Sequence, residues 1–486
     1  MSPLDAPKKI VPIVPAPAAA PPNAPDGDEV SLYEIRRKIY PRAVHGWFAG
    51  WRWALVWATQ LVFYGLPWIT WNGRQSMLFD LGARKFYVFG LVFWPQDVIY
   101  LSVLLILSAL ALFLFTAVAG RLWCGYACPQ TVYTEMFLWV ERMIEGDRVA
   151  RIRLDGQPLS ARKFAKKAAK HAAWAAIGLW TGITFVGYFT PIRELVQAIP
   201  FTLGPWETFW ILFYGFATYG NAGWMREQVC KYMCPYARFQ SVMFDQDTMI
   251  IAYDAERGEP RGPRSRKVDP REKGLGSCVD CDVCVQVCPT GIDIRKGLQY
   301  DCIGCAACID GCDQVMDKMG YARGLIRYAS QNAMRGHFGA QEMWRHVLRP
   351  RTVVYGSLLL AITIAAGAAL ALRNPLKVDV LRDRGALARE ASPGVIENVY
   401  RLQIMNTAEE SHAFTIRAKG LPGIEVVGVP QPVQVAGATL ATVPIRLRAS
   451  AEAAAPGAHR IEIEVKSTTD EALRRDEHST FFFPRN

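Results

Sequence analysis

Histidine is scarce: the 486 residues include seven. His412, His459 and His478 stand far apart, so the last part of the chain offers no histidine-based metal or catalytic centre. Cysteine is missing there altogether, with none after Cys312. Acidic residues are fewer than basic ones, 44 against 55, for a formal net charge of +11. This surplus gathers beside apolar runs, which points to membrane topology and argues against nucleic acid as a partner. Residues 1–30 are poor in aromatics and rich in Pro and Ala, so they bury too little to fold and read as a disordered tail. No secretory signal is visible either, because the first apolar run starts too late and is too long.

Apolar residues are plentiful, at 51%. Five runs exceed the roughly 18 uncharged residues that read as a membrane span: Trp53–Gly73, Val98–Gly120, His171–Ile192, Phe201–Met225 (interrupted only by Glu207) and Thr352–Leu372. Trp51, Trp53, Trp68 and Trp71 bracket the first as interfacial aromatics do. Lys and Arg crowd residues 1–52, 121–170 and 226–351 and are sparse in the intervening loops. The positive-inside rule therefore places the N-terminus and the segment before the fifth span in the cytoplasm, and everything after Leu372 outside. Residues 31–52 alternate basic and aromatic side chains and suit a segment lying on the inner membrane face.

Eight of the twelve cysteines lie in two matched runs, Cys278, Cys281, Cys284, Cys288 and Cys302, Cys305, Cys308, Cys312. Both read C-x2-C-x2-C-x3-C. That spacing wraps three thiolates around one [4Fe-4S] cluster while the fourth reaches the other cluster. The implied sets are crossed: Cys278, Cys281, Cys284 and Cys312 for one cluster, Cys302, Cys305, Cys308 and Cys288 for the other. A disulfide knot or a pair of zinc sites would space its cysteines differently. Gly304, Ala306, Ala307 and Gly311 permit tight turns and amide donors to cluster sulfur. Pro289 follows the first run, but Asp313 stands where the second run would place proline.

The other four cysteines form a repeat, Cys124-Gly-Tyr126-Ala-Cys128-Pro129 and Cys230-Lys-Tyr232-Met-Cys234-Pro235. Each follows a span at its cytoplasmic end. Cysteines at i and i+4 can offer two sulfurs to one metal, and the proline marks a helix break that presents them. Soft thiols suit Cu(I), zinc or iron-sulfur. Met225, Met233 and Met243 nearby lean toward Cu(I).

Beyond the fifth span, alternating stretches at Val399–Ile404, Phe414–Ala418, Val443–Leu447 and Ile461–Val465 predict an immunoglobulin-like β-sandwich. The expected order is a tail over 1–30, an interface segment over 31–52 and a four-helix membrane domain over 53–253. A linker over 254–275, a ferredoxin domain over 276–320, a return helix over 321–351, a fifth membrane helix over 352–372 and a β domain over 376–486 complete it. The fold class is thus a multi-domain membrane protein with five transmembrane helices, an inserted bacterial-type two-cluster α+β ferredoxin and a terminal sandwich.

The spans, twin C-x3-C-P motifs, doubled ferredoxin spacing and terminal β domain together resemble the cytochrome c oxidase accessory proteins of the CcoG, FixG and RdxA type. The membrane half also resembles polyferredoxin subunits of periplasmic nitrate and nitrous oxide reduction systems. The accessory-family resemblance implies a cupric reductase of the bacterial inner membrane with a periplasmic β domain. Cys124, Cys128, Cys230 and Cys234 then match its copper ligands, and the eight ferredoxin cysteines its ligands to two [4Fe-4S] clusters. Implied partners are copper ions, a copper-exporting ATPase, assembly factors of cbb3-type oxidase, membrane lipid and an unidentified electron donor; a homodimer stays open. Alternative functions are a quinol-linked electron-transfer subunit, using polar residues such as Gln96, Asp97 and Glu207, or a Cu(I) chaperone and assembly scaffold without turnover.

Overall fold

The computed structural model describes residues 38–269, 273–336, 342, 347–383 and 388–484. The tail over 1–30 lies outside the described residues, as does part of the segment expected as a return helix. The chain divides into two compact units, one of residues 1–68 and 102–363, the other of 69–101 and 364–486.

Among the described residues, two helices are long and apolar enough to cross a membrane, Pro95–Ala119 and Pro350–Ala371. They carry the second and fifth predicted spans. At the other three the backbone departs from the apolar runs for local reasons. Helix Trp47–Gly65 starts ahead of the first run and takes in Arg52, while Thr70–Trp71 turns into a hairpin with Arg74–Gln75. Helix Ala161–Val186 begins with a basic turn capped by Ser160 Oγ, which accepts from the Lys163 amide. Helix Pro205–Thr218 runs only 14 residues before its backbone widens into a π-helical stretch over Tyr219–Met225.

The first unit also contains the ferredoxin fold, which is larger than 276–320. Strand Ile250–Tyr253 pairs antiparallel with Ile326–Ala329, so the expected return helix opens as a strand. The apolar alternation of Ile326, Tyr328 and their neighbours supports a half-buried strand better than a helix. The expected linker also does more than span a gap. The amides of Gly276, Ser277 and Cys278 donate to the carbonyls of Pro260, Arg257 and Gly258, and Arg264 reaches the carbonyls of Gly276 and Cys278. Its glycines and prolines bind it around the first cysteine loop. Asp313 falls inside helix Ala307–Met319, where proline would break the i to i−4 bonding; its carboxylate accepts from the Gly324 amide instead.

The second unit is the β-sandwich. One sheet runs in the order Glu425–Val427, Thr439–Ser450, Val395–Asn406, Leu376–Arg382, and the other Val433–Val435, His412–Lys419, Gly457–Ser467, Arg474–Phe483. Alternate residues such as Tyr400, Leu402, Ile404, Ile461, Ile463 and Val465 face inward and fill the space between the sheets. Glu397 is fully buried and held by Arg389 and Arg448. Residues 69–101 join this unit rather than serving as a plain loop of the membrane domain. They form a three-stranded sheet, Met77–Asp80, Lys85–Val88 and Leu91–Phe93, and Lys85 donates to the Ala438 carbonyl at 2.8 Å. Asp97 is buried and paired with Arg373 at 2.8 Å and with Lys377. That carboxylate is committed to holding the unit together, which removes it from the quinone role considered above.

Candidate functional site

All twelve cysteines are free thiols. The two ferredoxin loops have the same backbone twist. On either side of the second cysteine of each run stands a residue with left-handed φ: Asp280 (51°) and Asp282 (53°) around Cys281, Gly304 (70°) and Ala306 (59°) around Cys305. Turning the chain this way aims successive side chains and amides at one centre. Cys278, Cys281, Cys284 and Cys312 line one small cavity. Cys288, Cys302, Cys305 and Cys308 line a second one, with Cys284 between the two. Such a donor set fits two [4Fe-4S] clusters, each drawing one sulfur from the other run. Burial pushes the thiols of Cys284, Cys302 and Cys312 up to about 12 and that of Cys305 to about 11, so assembly must displace protons.

The C-x3-C-P motifs end helices, as their prolines predict. Cys124 lies in the short helix Leu122–Tyr126. Cys128 is the N-cap of helix Pro129–Glu145, with Pro129 in the first helical position. Cys230 lies in a π-helical turn, and Cys234 is the N-cap of helix Pro235–Met243. Each proline thus breaks the chain between its two cysteines. The second sulfur is left at a helix N-terminus, where free amides and the dipole favour a thiolate. At Cys128 the amides of Gln130 and Thr131 supply such bonds, yet burial outweighs them and the thiol stays raised. Burial also lifts Cys124 to about 11 and Cys230 to about 12. The Cys124 thiol donates to Gln240 Oε1 at 3.4 Å.

The sequence left open whether the motifs meet. They do: each of the four thiols lies within electrostatic range of the other three. They meet beside the second ferredoxin loop, where Cys124 and Cys230 pack against Cys305, Ile303, Ala307 and Val287. Among the described residues, no three His, Cys, Asp or Glu side chains stand close enough to hold a single metal ion. The four thiols form a loose group.

Close backbone approach makes this packing possible. A Cβ on Gly125 would lie 2.7 Å from the Gly304 carbonyl and 2.8 Å from Cys305 Cα, and one on Gly304 would lie 3.0 Å from the Arg121 carbonyl oxygen. Neither contact leaves room for a side chain. Tyr328 closes the same corner, its hydroxyl donating to the Gly304 carbonyl at 2.6 Å and lying 3.4 Å from Tyr126 Oη. Asp310, in the helix that carries Cys308 and Cys312, accepts from the amides of Phe48 and Ala49 and so caps helix Trp47–Gly65. Gly125, Tyr328 and Asp310 were not legible as site residues, although the glycine inside the first motif was a signal of close approach; Gly304 was read for its tight turn and not for this contact.

Comparison with known proteins follows the same divisions. Residues 225–331 match the family model described as a 4Fe-4S dicluster domain, residues 101–145 a 4Fe-4S binding domain, and residues 366–484 the IG-like fold at the C-terminal of FixG. Nitrogen fixation protein FixG of Rhizobium meliloti is 40% identical over 425 residues, covering 80% of this chain and 81% of its own length. Protein RdxA of Cereibacter sphaeroides is 41% identical over 404 residues, covering 81% and 84%. Ferredoxin-type protein NapH of Haemophilus influenzae is 24% identical, covering 44% and 68%. A solved FixG-related protein from Vibrio parahaemolyticus is 22% identical with a TM-score of 0.20, covering 23% of this chain and 97% of that one.

Proposed function

The chain belongs to the FixG and RdxA family of iron-sulfur proteins, and from that premise we propose that it is a membrane-bound cupric reductase acting at Cys124, Cys128, Cys230 and Cys234. The observation that carries this reading is the packing of Cys124 and Cys230 against the cluster of Val287, Ile303, Cys305 and Ala307, which sets soft ligands beside a redox centre. The crossed cysteine sets named above are the cluster ligands in this reading. When bound, the two [4Fe-4S] clusters supply one-electron steps.

The chain's own residues bias the reaction. Cu(II) prefers nitrogen and oxygen donors, whereas thiolates stabilise Cu(I). Each tenfold preference for Cu(I) raises the effective copper potential by about 59 mV. Cu(II) gains one electron, and the thiols that take up Cu(I) lose their protons to solvent. Burial of Cys124, Cys128 and Cys230 excludes water and opposes that proton loss, so copper affinity rises with pH. Gln240 orients the Cys124 sulfur through its hydrogen bond.

In this reading five helices cross the bacterial inner membrane, with the ferredoxin fold cytoplasmic and the β domain periplasmic, as the placement of Lys and Arg supports. Reduced copper passes to a copper-exporting ATPase and onward to assembly of cbb3-type oxidase. The test is anaerobic titration of the purified, reduced protein with Cu(II), following cluster oxidation and copper valence together. Cluster oxidation with formation of one Cu(I) per electron is expected, and loss of both on replacing the four motif cysteines with Ala. Unchanged Cu(II) reduction in that variant, with clusters retained, would overturn the site.

One observation favours a second reading, oxidation of a quinol. Helix Trp47–Gly65 borders an apolar cleft of about 1000 Å³, lined in part by Trp53, Trp57, Gln60, Tyr64 and Trp139. Gln60 is 9% exposed, and its Oε1 has no hydrogen-bond partner. A quinol hydroxyl is a fitting donor to it. Cluster reduction by a quinol in a protein without copper affinity selects this reading.

A further inference from the structure

Arg52 and Arg121 are each 6% exposed, and among the described residues neither forms an ion pair. Arg52 donates to the Cys305 carbonyl. Arg121 donates to the carbonyls of Tyr300 and Ala237, both at 2.6 Å, with its guanidinium 4.7 Å from the centre of the Tyr300 ring. The nearest acids to Arg52 are committed elsewhere. Glu135 pairs with Arg142 at 3.3 Å, and Asp310 accepts the two helix amides described above. Of the other arginines around the site, Arg264 at the first loop donates to the carbonyls of Gly276 and Cys278 without an acid partner among the described residues but is only half-buried, and the rest are neutralised. Arg226, which precedes the second motif, pairs with Glu141 at 2.7 Å. Arg295, which faces the first ferredoxin loop, holds Asp280, Asp282 and Asp293 at 2.7, 2.6 and 2.8 Å.

A buried cation without a counter-charge costs several kcal/mol. The second loop therefore gathers positive charge that calls for an anion, while the first carries an acid surplus. A cluster ligated by four thiolates is such an anion, and it gains a further negative charge on reduction. Fixed positive charge beside it favours the reduced form, and negative charge the oxidised form.

We propose that Arg52 and Arg121 raise the reduction potential of the cluster held by Cys288, Cys302, Cys305 and Cys308 above that of the cluster held by Cys278, Cys281, Cys284 and Cys312. A single electron shared by the two then rests on the one packed against Cys124 and Cys230. The step moves one electron between clusters and transfers no atom or proton. This inference rests on cluster binding but not on copper chemistry.

Anaerobic potentiometric titration of the full-length protein, read by EPR, tests it. Two one-electron steps at separate potentials are expected. Cys305→Ser should alter the signal of the higher step, whereas an alteration of the lower one overturns the order. Arg52→Gln should lower the higher step by at least tenfold in its equilibrium, about 59 mV, and leave the other in place. Arg52→Lys, which keeps the charge, should leave both. If Arg52→Gln loses iron, Arg121→Gln carries the same expectation. Iron and sulfide analysis separates the failures: wild-type protein without clusters sinks the cluster reading itself, while intact clusters whose steps ignore both charge removals sink only this inference.

Discussion

The two cysteine loops have one backbone and two surroundings. Cys281 is exposed and its left-handed neighbours are the charged Asp280 and Asp282, tied down by Arg295. Cys305 is 8% exposed, its left-handed neighbours are Gly304 and Ala306, and the first C-x3-C-P motif lies directly against it. A left-handed residue can be aspartate where water solvates it, but must be glycine or alanine where another backbone approaches. The difference separates a loop that faces solvent from one that faces the motif thiols.

Breaking the close approach should have the largest effect. Gly125→Val places a branched side chain into the Gly304 and Cys305 backbone, and overpacking of this kind costs about 1–3 kcal/mol or more. The variant should lose the second-loop cluster and about half of its iron, measured by iron analysis and EPR. Asp282→Asn, at an exposed position and with a side chain that tolerates the left-handed backbone, should keep both clusters.

Solvent access gives the next effect. An iron chelator should strip the first-loop cluster severalfold faster than the second, because Cys281 is open to water. Loss at equal rates, followed by absorbance and EPR, would erase the contrast between the loops.

Charge comes third. Arg295→Gln leaves three aspartates facing one another at a partly exposed position and should cost about 1 kcal/mol, read as a lower melting temperature. Acid should act in the same direction. Burial works to raise Asp293, but its hydrogen bonds to the Arg295 side chain and amide and the charge of Arg295 more than offset this, so its carboxyl titrates below the usual range. The stabilisation is complete above the unfolded value of about 3.9 and is lost as pH falls through the lowered folded value. The first-loop cluster should therefore be released first in acid, as EPR of samples taken during acidification can show.

The smallest effect concerns the turn itself. Ala306 is fully buried with φ of 59°. Ala306→Gly relieves a left-handed penalty of about 1–2 kcal/mol and loses about 0.5–1 kcal/mol to backbone entropy. The variant should melt within a few degrees of wild type, on the stable side.

Local spacing made much of this molecule legible. Two C-x2-C-x2-C-x3-C runs imply crossed thiol sets, the fourth cysteine of each reaching the other cluster, and a proline after Cys128 and Cys234 fits the first turn of a helix. Alternation at period two was enough to identify the β-sandwich, because side chains of a strand point to opposite faces. Tertiary structure alone decided which loop receives the motif thiols, that Gly125 abuts Gly304, that residues 69–101 join the β domain, and that Arg52 and Arg121 lie buried. These contacts join residues far apart in the chain. Periodicity and spacing report only on neighbours, whereas a buried charge or a touching backbone is fixed by what the folded chain brings against it.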